Sequence, residues 1–438
     1  MSEKKRRYFI RTFGCQMNES DSERISGMLS QTGAVKAERP DEADLIIINT
    51  CAVREKSEEK LFSYLGRMAQ LKKKRNVRIA VVGCVAQLRG WDLLEKKTAV
   101  DIVLGPDNTA ELIALVQEDA AEKHVSTSWS QDWHETSPGL IQRDSPVSAY
   151  VTVMEGCDNF CAYCIVPYTR GREKYRPLRS ILEEVRDLAR KGYLEVQLLG
   201  QNVNSYQDPD SGKPFTALLR EVAAVEGIEW IRFLTSHPKN FRPEMAEAMA
   251  GISKVCRELH LPLQSASNAV LKRMKRGYTK VEYLDIISRL RSLMPEISLS
   301  TDIIVGFPGE TEPDFEETVE VLRRVRFSSI FSFRYSPRPL TAASRLEDSV
   351  PREEKQLRLE EIQRVQKGIQ LEGHGRLVGR TMKVLCLGRG QKAPHLFSGR
   401  NEGNEVVNFR SDEDSTGRFV EVRITGFGPF SLLGEKTD

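Results

Sequence analysis

Three cysteines in one short stretch constrain this chain more than any other feature of its sequence. Cys157, Cys161 and Cys164 lie within eight residues, separated by three residues and then by two. Thiolates this close together can surround one metal centre. Structural zinc takes four ligands, and no His or fourth Cys lies at the usual spacing. The pattern therefore favours a cubane iron–sulfur cluster with one iron not ligated by protein, and an open metal position is typical of a catalytic site.

Two other interpretations of these cysteines remain open. The thiols could be buried without binding anything, or they could form a zinc knuckle. The alternation of strands and helices on both sides of the cysteines favours the cluster, because such folds carry their reactive groups on loops at strand ends.

The composition is that of an ordinary soluble protein. Of 438 residues, 40% are hydrophobic and 29% are charged, and the length predicts about two to four domains. No apolar run reaches the roughly 18 residues that span a bilayer, and the chain starts with charged residues, so we expect a cytoplasmic protein with no membrane partner. The net charge is only +3, so any affinity for nucleic acid must come from local patches.

The first hundred residues predict a doubly wound parallel sheet, because strand patterns alternate with helical ones. Asn18 and Ser20 are the expected caps of the first helix, and the basic run at 72–75 is expected to cap the end of the second. The predicted strands cover residues 8–13, 44–49, 77–82 and 100–104, and the second helix covers about 53–74.

A cysteine follows each of the first three predicted strands. These residues are Cys15, Cys51 and Cys84. Parallel strands of such a sheet end at the same edge, where these folds bind ligands, so we expect the three thiols to meet and form a second metal site. The alternative for each of them is a small buried hydrophobic residue.

The middle of the chain predicts an open barrel. Residues 118–148 are polar and show no sustained hydrophobic periodicity, which indicates a linker or irregular loop. His124 and His134 lie in this stretch, and no role is assigned to either. Six strand patterns then alternate with helical ones, fewer than the eight of a closed barrel. The three-cysteine loop follows the first of these strands, at the rim where barrels carry their chemistry. The strand patterns cover 149–155, 194–199, 229–234, 257–263, 297–305 and 328–335.

Polar residues and glycines follow the second, third and fourth strands of this barrel, and the fifth strand carries Asp302 with Gly306 just after it. Groups on separate loops that converge on one small molecule are what a cofactor site needs. The alternative for each is an ordinary loop or capping role. The candidate cofactor-binding residues are Gly200, Gln201, Ser236, Gln264, Asp302 and Gly306.

Two stretches of the chain are candidates for binding a nucleic acid. A basic run just after the three cysteines could hold the phosphates of a polyanion, or it could be a solvated face. Past a helical connector at 351–372, five short strand patterns predict a small barrel of the oligonucleotide-binding kind, whose arginines and aromatic rings could bind RNA or lie in the core. The residues are Arg170, Arg172, Lys174, Arg176 and Arg179 in the run, and Arg400, Arg410, Arg418, Arg423, Phe397, Phe409 and Phe419 in the small barrel. Cys256 and Cys386 are expected in cores.

The chain as a whole resembles the methylthiotransferases, a branch of the radical S-adenosylmethionine (SAM) superfamily. Its sequence motifs are most similar to those of the tRNA-modifying members. Residues 377–438 resemble the TRAM domain, an RNA-binding barrel. Two departures from the family pattern lie in loops: Ala266 stands where Gly is expected after Gln264-Ser265, and Leu340-Thr341-Ala342 stands where Gly-Thr-Pro is more usual. The matching stretches include Gly14-Cys15-Gln16-Met17-Asn18, Asn49-Thr50-Cys51-Ala52-Val53-Arg54-Glu55-Lys56, Gly83-Cys84, Glu155-Gly156-Cys157, Pro167-Tyr168-Thr169-Arg170-Gly171-Arg172-Glu173 and Asp302-Ile303-Ile304-Val305-Gly306.

The resemblance implies a reaction and its cofactors. The substrate would be tRNA with N6-dimethylallyladenosine beside the anticodon, and the product would carry a methylthio group at C2. A 4Fe–4S cluster on Cys157, Cys161 and Cys164 would cleave SAM to a 5'-deoxyadenosyl radical. A second 4Fe–4S cluster, on Cys15, Cys51 and Cys84, would deliver the sulfur. The basic run and the TRAM barrel would hold the anticodon arm, an electron donor and a sulfur donor are implied, and we expect a monomer.

The expected domains are an N-terminal methylthiotransferase domain at 1–120, a linker at 121–146, a radical SAM core at 147–373 and a TRAM domain at 374–438. Three alternatives to this function remain. One is a methylthiotransferase acting on threonylcarbamoyl-adenosine in tRNA or on a ribosomal protein. The others are a non-catalytic iron–sulfur protein that binds RNA and a zinc-stabilised RNA-binding protein.

Overall fold

The computed structural model describes residues 5–53, 55–96, 99–117, 122–133, 138–390 and 393–437. His134, Arg54 and the expected domain boundary at residue 120 lie outside these ranges. The N-terminal part contains β1 Arg7–Phe13, α1 Gln16–Gln31, β2 Val35–Lys36, β3 Leu45–Thr50, α2 Glu55–Lys74, β4 Arg78–Gly83, α3 Cys84–Arg89, α4 Trp91–Lys96, β5 Ile102–Leu104, α5 Glu111–Gln117 and β6 His124–Ser126.

These elements form the doubly wound sheet that the sequence predicts. Six parallel strands follow the order β2-β1-β3-β4-β5-β6, and separate hydrophobic cores cover the two faces. Every residue of β3 is buried, because a parallel strand covered on both faces is apolar along its whole length. The chain changes direction across the sheet between β1 and β3, and folds of this kind bind ligands at that point.

Two expectations for this part were wrong. The stretch 118–148 is not irregular throughout, because His124–Ser126 form β6 and pair with β5. This strand is short and half exposed, so it carries no apolar pattern. In addition, α1 begins at Gln16 with Cys15 as its cap, not at Asn18 or Ser20. The lysines at 72–74 do lie in the last turn of α2.

The central part contains β7 Ser148–Thr152, β8 Met154–Glu155, β9 Lys174–Tyr175, α6 Leu178–Arg190, β10 Glu195–Leu199, α7 Phe215–Ala223, β11 Trp230–Phe233, α8 Pro243–Gly251, β12 Glu258–His260, α9 Asn268–Arg273, α10 Lys280–Leu293, β13 Ser298–Val305, α11 Glu312–Val325, β14 Ser329–Arg334 and α12 Arg352–Gly375. Thr279 and Thr311 cap α10 and α11 and form capping boxes with Glu282 and Asp314, which explains where these helices begin.

The central part is an open barrel. Strands β7, β10 and β11 form one parallel sheet, and β12, β13 and β14 form another. An isolated bridge pairs Ile231 of β11 with Val255, three residues before β12, where the chain passes from the first sheet to the second. Within the described residues, β7 and β14 are edge strands that do not pair with each other. The six-unit barrel that the sequence predicts is therefore confirmed.

The C-terminal part is the predicted closed barrel of five strands, in the order β15-β16-β17-β19-β18. Cys386 and Cys256 are buried as expected. Phe397 and Phe409 stack on each other in the barrel core, so for these two rings the core alternative is the correct one. Their positions alternate inward along their strands. The strands are β15 Thr381–Arg389, β16 Phe397–Asn401, β17 Val406–Arg410, β18 Phe419–Phe427 and β19 Leu432–Lys436.

The small barrel is anchored to the starting ends of the central strands, opposite the rim. The buried Arg232 in β11 donates to Glu195 and to the backbone carbonyls of Asn401 and Glu402. Phe419 is not a free stacking face either, since its ring packs edge-on against Trp230. No helix in the described ranges is long and apolar enough to cross a membrane.

Candidate functional site

The loop that carries Cys157, Cys161 and Cys164 follows β8 at the rim of the central barrel. Its thiols are close enough to act on one another electrostatically. Burial raises the pKa of Cys157 to about 11 and that of Cys164 to about 12. These thiols therefore keep their protons at neutral pH, and a metal must supply the charge that converts them into ligands.

Two nitrogen-bearing side chains lie against the middle cysteine of this loop. Arg276 Nη1 is 3.4 Å from Cys161 Sγ, and His237 Nε2 is 3.6 Å from the same sulfur. Burial lowers the pKa of His237 to about 2, with Arg276 adding to the effect, so the imidazole is neutral. The fixed charge beside this sulfur is therefore that of Arg276.

Three buried oxygens around the loop have no hydrogen-bond partner in the described part of the chain. They are Asn202 Oδ1, Ser236 Oγ and Gln264 Oε1, on the loops that follow β10, β11 and β12. Gln264 also has a positive φ of 69°, a conformation that costs free energy and is concentrated at binding sites. Buried polar groups are normally satisfied. This rim therefore has the unfilled polar groups that a small polar cofactor such as SAM would satisfy.

Other predicted cofactor residues face the protein itself. Gln201 accepts a hydrogen bond from the Gly156 amide, which fixes the start of the cysteine loop. A Cβ at Gly200 would lie 2.4 Å from Met154 Cγ, and one at Gly306 would lie 2.2 Å from Lys355 Cγ. Both glycines are thus required by internal packing.

Asp302 is the remaining predicted cofactor residue, and it faces a histidine. Its Oδ2 lies 3.4 Å from His260 Nε2, and its side chain is partly exposed. The carboxylate therefore keeps capacity for a ligand on its solvent side.

The structure brings the three N-terminal cysteines together at the expected sheet edge. Cys15 follows β1, Cys51 follows β3 and Cys84 opens α3 after β4. A hydrogen bond from the Cys51 thiol, assisted by the Arg170 guanidinium, lowers the pKa of Cys15 to about 6 and raises that of Cys51. Cys84 is close enough to raise the pKa of Cys51 as well. Cys15 therefore loses its proton more readily than a thiol in water does.

Asn18 connects the strand ends that carry these cysteines. Its Oδ1 accepts from the Cys15 backbone amide and thiol, at 3.3 and 3.5 Å, and its Nδ2 donates to Asn49 Oδ1 at 3.0 Å. Gly83, with φ at 89°, lets the chain pass close by, since a Cβ there would lie 2.5 Å from Asn49 Oδ1. Sequence reasoning interpreted Asn18 only as a cap and missed this role.

The donor chemistry of both sites fits an iron–sulfur cluster, because thiolate is the ligand that such clusters take and each site offers three thiols. Among the described residues, no group of three His, Cys, Asp or Glu side chains is arranged to hold one metal ion.

The basic run between the two sites is mostly buried, so its expected contact with RNA was wrong for three residues. Arg170 pairs with Asp21 at 2.5 Å, and Lys174 pairs with Asp107 at 2.7 Å. Both partners belong to the N-terminal domain. Arg176 pairs with Glu184 in α6. The run therefore attaches the two domains to each other, a role that its charge pattern alone did not reveal.

Two cations of the run remain on the surface. The side chain of Arg172 is 73% exposed and lies over the Phe160 ring, and that of Arg179 is 78% exposed. In the small barrel, Arg400 donates to Asn404 and is partly exposed. These arginines can still meet a polyanion.

A three-thiol loop on the rim of an open six-stranded α/β barrel, surrounded by unsatisfied polar groups, defines a radical SAM enzyme. Family models agree with this class. Residues 7–105 match "Uncharacterized protein family UPF0004", residues 151–322 match the radical SAM superfamily, and residues 375–437 match the TRAM domain.

Full-length relatives identify the branch. A tRNA-2-methylthio-N(6)-dimethylallyladenosine synthase from Geobacter metallireducens is 46% identical over 433 residues, covering 98% of this chain and 97% of that protein. The enzyme of the same name from Syntrophotalea carbinolica is 44% identical over 436 residues, covering 98% of this chain and 99% of that protein. This chain belongs to that family of radical SAM methylthiotransferases, and its cofactors are SAM and 4Fe–4S clusters.

A solved structure supports the fold. The radical SAM methyltransferase TsrM from Kitasatospora setae, with cobalamin and a 4Fe–4S cluster bound, has a TM-score of 0.56 at 15% identity. The match covers 90% of this chain and 81% of that chain. At this identity the likeness shows the fold alone.

Proposed function

We propose that this chain installs a methylthio group at C2 of N6-dimethylallyladenosine next to the anticodon in tRNA. The observation that carries the proposal is the pair of three-thiol sites, one at the barrel rim and one at the switch point of the N-terminal sheet. One cluster suffices for SAM cleavage, so a second site indicates a second chemical task. The names of the full-length relatives support the substrate.

In this proposal, each of the two three-cysteine sites binds one 4Fe–4S cluster. Cys157, Cys161 and Cys164 would hold the 4Fe–4S cluster that supplies the cleavage of SAM. Cys15, Cys51 and Cys84 hold the auxiliary 4Fe–4S cluster. When bound, these groups supply radical and sulfur chemistry, which the target needs because its aromatic C2–H is not acidic at neutral pH and offers no leaving group.

The protein's own groups hold and enclose the small cofactor. Asn202, Ser236 and Gln264 offer the buried oxygens that lack partners, and each is suited to accept from the ammonium or hydroxyl groups of SAM. Their burial also keeps water from the reacting centre.

The RNA contact is assigned to exposed cations on two surfaces. Arg172 lies beside the cluster loop, and Arg400 lies on the small barrel. Phe430, whose exposed fraction is 81%, is a stacking face that sequence reasoning missed. The target base must leave its stack to reach the rim. We further propose the domain boundaries given above, a cytoplasmic monomer, and external electron and sulfur donors.

The first experiment measures the iron content of the protein and the modified nucleosides that it produces. After anaerobic reconstitution, the wild type is expected to hold about eight irons and the Cys157/Cys161/Cys164→Ala variant about four, as two cubanes and one require. tRNA containing N6-dimethylallyladenosine, incubated with SAM and reductant, is then digested and its nucleosides are analysed by mass spectrometry.

The outcomes separate the alternatives. A methylthio group on threonylcarbamoyl-adenosine, or on a ribosomal protein, would replace the proposed substrate while keeping the reaction class. Iron without SAM cleavage would favour a non-catalytic RNA-binding protein. About four irons in the wild type and none in the variant would remove the auxiliary cluster from the proposal.

A further inference from the structure

Arg276 is a buried cation without an acidic partner. Only 3% of the residue is exposed, and it follows α9, more than a hundred residues from the cysteine loop. Its Nη1 donates to Cys161 Sγ at 3.4 Å and to Tyr163 Oη at 3.3 Å, its Nη2 to the Pro262 carbonyl at 2.8 Å, and its Nε to Tyr278 Oη at 3.1 Å. All of these acceptors are formally neutral.

The other buried arginines of the described chain each have a carboxylate. Arg170 pairs with Asp21, Arg176 with Glu184, Arg232 with Glu195 and Arg358 with Glu310. No ion pair in the described residues includes Arg276. A guanidinium stays protonated in proteins, and an unpaired buried charge is costly. Within the described residues, Arg276 therefore lacks the negatively charged partner that a buried guanidinium needs.

The missing negative charge is available at the sulfur that Arg276 already contacts. A 4Fe–4S core of charge +2 with three thiolates carries one net negative charge, and one-electron reduction adds another. Thiolates that ligate iron must be deprotonated. The cluster expected on Cys157, Cys161 and Cys164 therefore supplies the counter-charge that the protein lacks.

We propose that Arg276 is a positioning residue for the rim cluster, its charge partner and a hydrogen-bond donor to Cys161, and that it raises the reduction potential of this cluster. The inference rests on the proposed cluster assignment. A fixed positive charge favours the reduced, more negative state, and a buried site screens that charge weakly. Hydrogen bonds to cluster sulfurs act in the same direction.

The test measures a potential rather than turnover. In full-length protein with Cys15, Cys51 and Cys84 changed to Ala, only the rim cluster remains, and its midpoint potential is followed by anaerobic EPR titration with dithionite. Arg276→Gln is expected to shift the potential in the negative direction. Arg276→Lys, which keeps the charge, is expected to remain close to the parent. Tyr278→Phe removes one partner of Arg276 without changing charge, and no comparable shift is expected.

The wild-type residue is also tested without mutation. In the same Cys15/Cys51/Cys84→Ala protein with Arg276 intact, labelled with 15N-arginine, the reduced rim cluster is expected to show a 15N coupling in pulsed EPR, through the N–H···S contact at Cys161. An Arg276→Gln potential equal to that of the parent, or the lack of the coupling, would overturn the inference. If Arg276→Gln protein does not fold, the labelled parent still decides it. Iron and sulfide are counted first, so a parent without a cluster would instead contradict the proposed function.

Discussion

The two three-cysteine sites are built in opposite ways. The rim site takes its thiols from eight consecutive residues, 157–164. The N-terminal site takes them from the ends of three different strands, and Asn18 ties these ends together. A local site depends on the conformation of one loop. A dispersed site exists only when the sheet around it has folded.

Their electrostatics differ as well. In the N-terminal site the nearby Arg170 is already paired with Asp21, and the pKa of Cys15 is lowered by its hydrogen bond from Cys51. In the rim site Arg276 has no carboxylate among the described residues, and burial raises the pKa of Cys157 and Cys164. The N-terminal site thus eases the deprotonation of one of its thiols, whereas the rim site provides a cation that requires a bound anion.

The largest expected effect separates the two sites by their products. Cys51→Ala is expected to abolish the methylthio product while SAM cleavage continues, because the rim site is intact. Cys161→Ala is expected to abolish both. The measurement is 5'-deoxyadenosine and modified nucleoside from the same reaction, with Cys256→Ala, a buried cysteine outside both sites, as the control. Loss of SAM cleavage in Cys51→Ala protein would contradict the division of tasks.

The next largest effect concerns the buried ion pair beside the N-terminal site. Arg170→Met leaves Asp21 buried without its partner, and we expect the free energy of unfolding to fall by about 3–5 kcal/mol. Arg179→Met is the matched control from the same run, because its pair with Asp210 is exposed and worth about 0–1 kcal/mol. Urea denaturation of the apo proteins measures both. Equal effects would mean that burial does not distinguish the two pairs.

A pH-dependent effect is expected from Glu23 in α1, which accepts from the Asp144 amide at the domain boundary. Burial raises the pKa of Glu23 from 4.5 to about 7. The folded protein therefore holds a proton that the unfolded chain releases, so this contribution to stability is full below pH 4.5 and is lost as pH rises through 7.

Relative to Glu23→Gln, the wild-type free energy of unfolding is expected to fall by up to about 3 kcal/mol across this window. Denaturation at fixed ionic strength tests this, with the exposed Glu226→Gln as the control. A constant difference at all pH values would contradict it.

The smallest effect concerns the exposed arginine beside the rim site. Arg172→Gln is expected to weaken tRNA binding by about 1 kcal/mol or less and to lower the slope of log affinity against log salt by about 1, as for one phosphate contact. Filter binding over a salt series measures both quantities. Arg179→Gln, also exposed but beyond β9, serves as the comparison. An unchanged slope for Arg172→Gln would remove it from the RNA surface.

Most of the fold followed from local patterns. The apolar run of β3 and the alternation of strands and helices predicted both α/β parts, and the positions of Cys15, Cys51 and Cys84 relative to strand ends predicted their meeting. β6 was missed because a short, half-exposed edge strand has no apolar signal. Leu340 departs from the glycine expected in the family, and it has a positive φ of 69°, which costs a side chain about 1 kcal/mol.

The sequence by itself determined the two sets of thiols, because metal-ligand spacing and strand ends are local properties. Only the tertiary structure decided which cations are free. Arg170, Lys174 and Arg176 look like a basic surface in the sequence but are buried in ion pairs, whereas Arg276, which no sequence pattern singled out, lies against Cys161. The reason is physical. Whether a charged side chain is free to meet a ligand depends on its partner, and these partners come from distant segments that only the packed fold brings together.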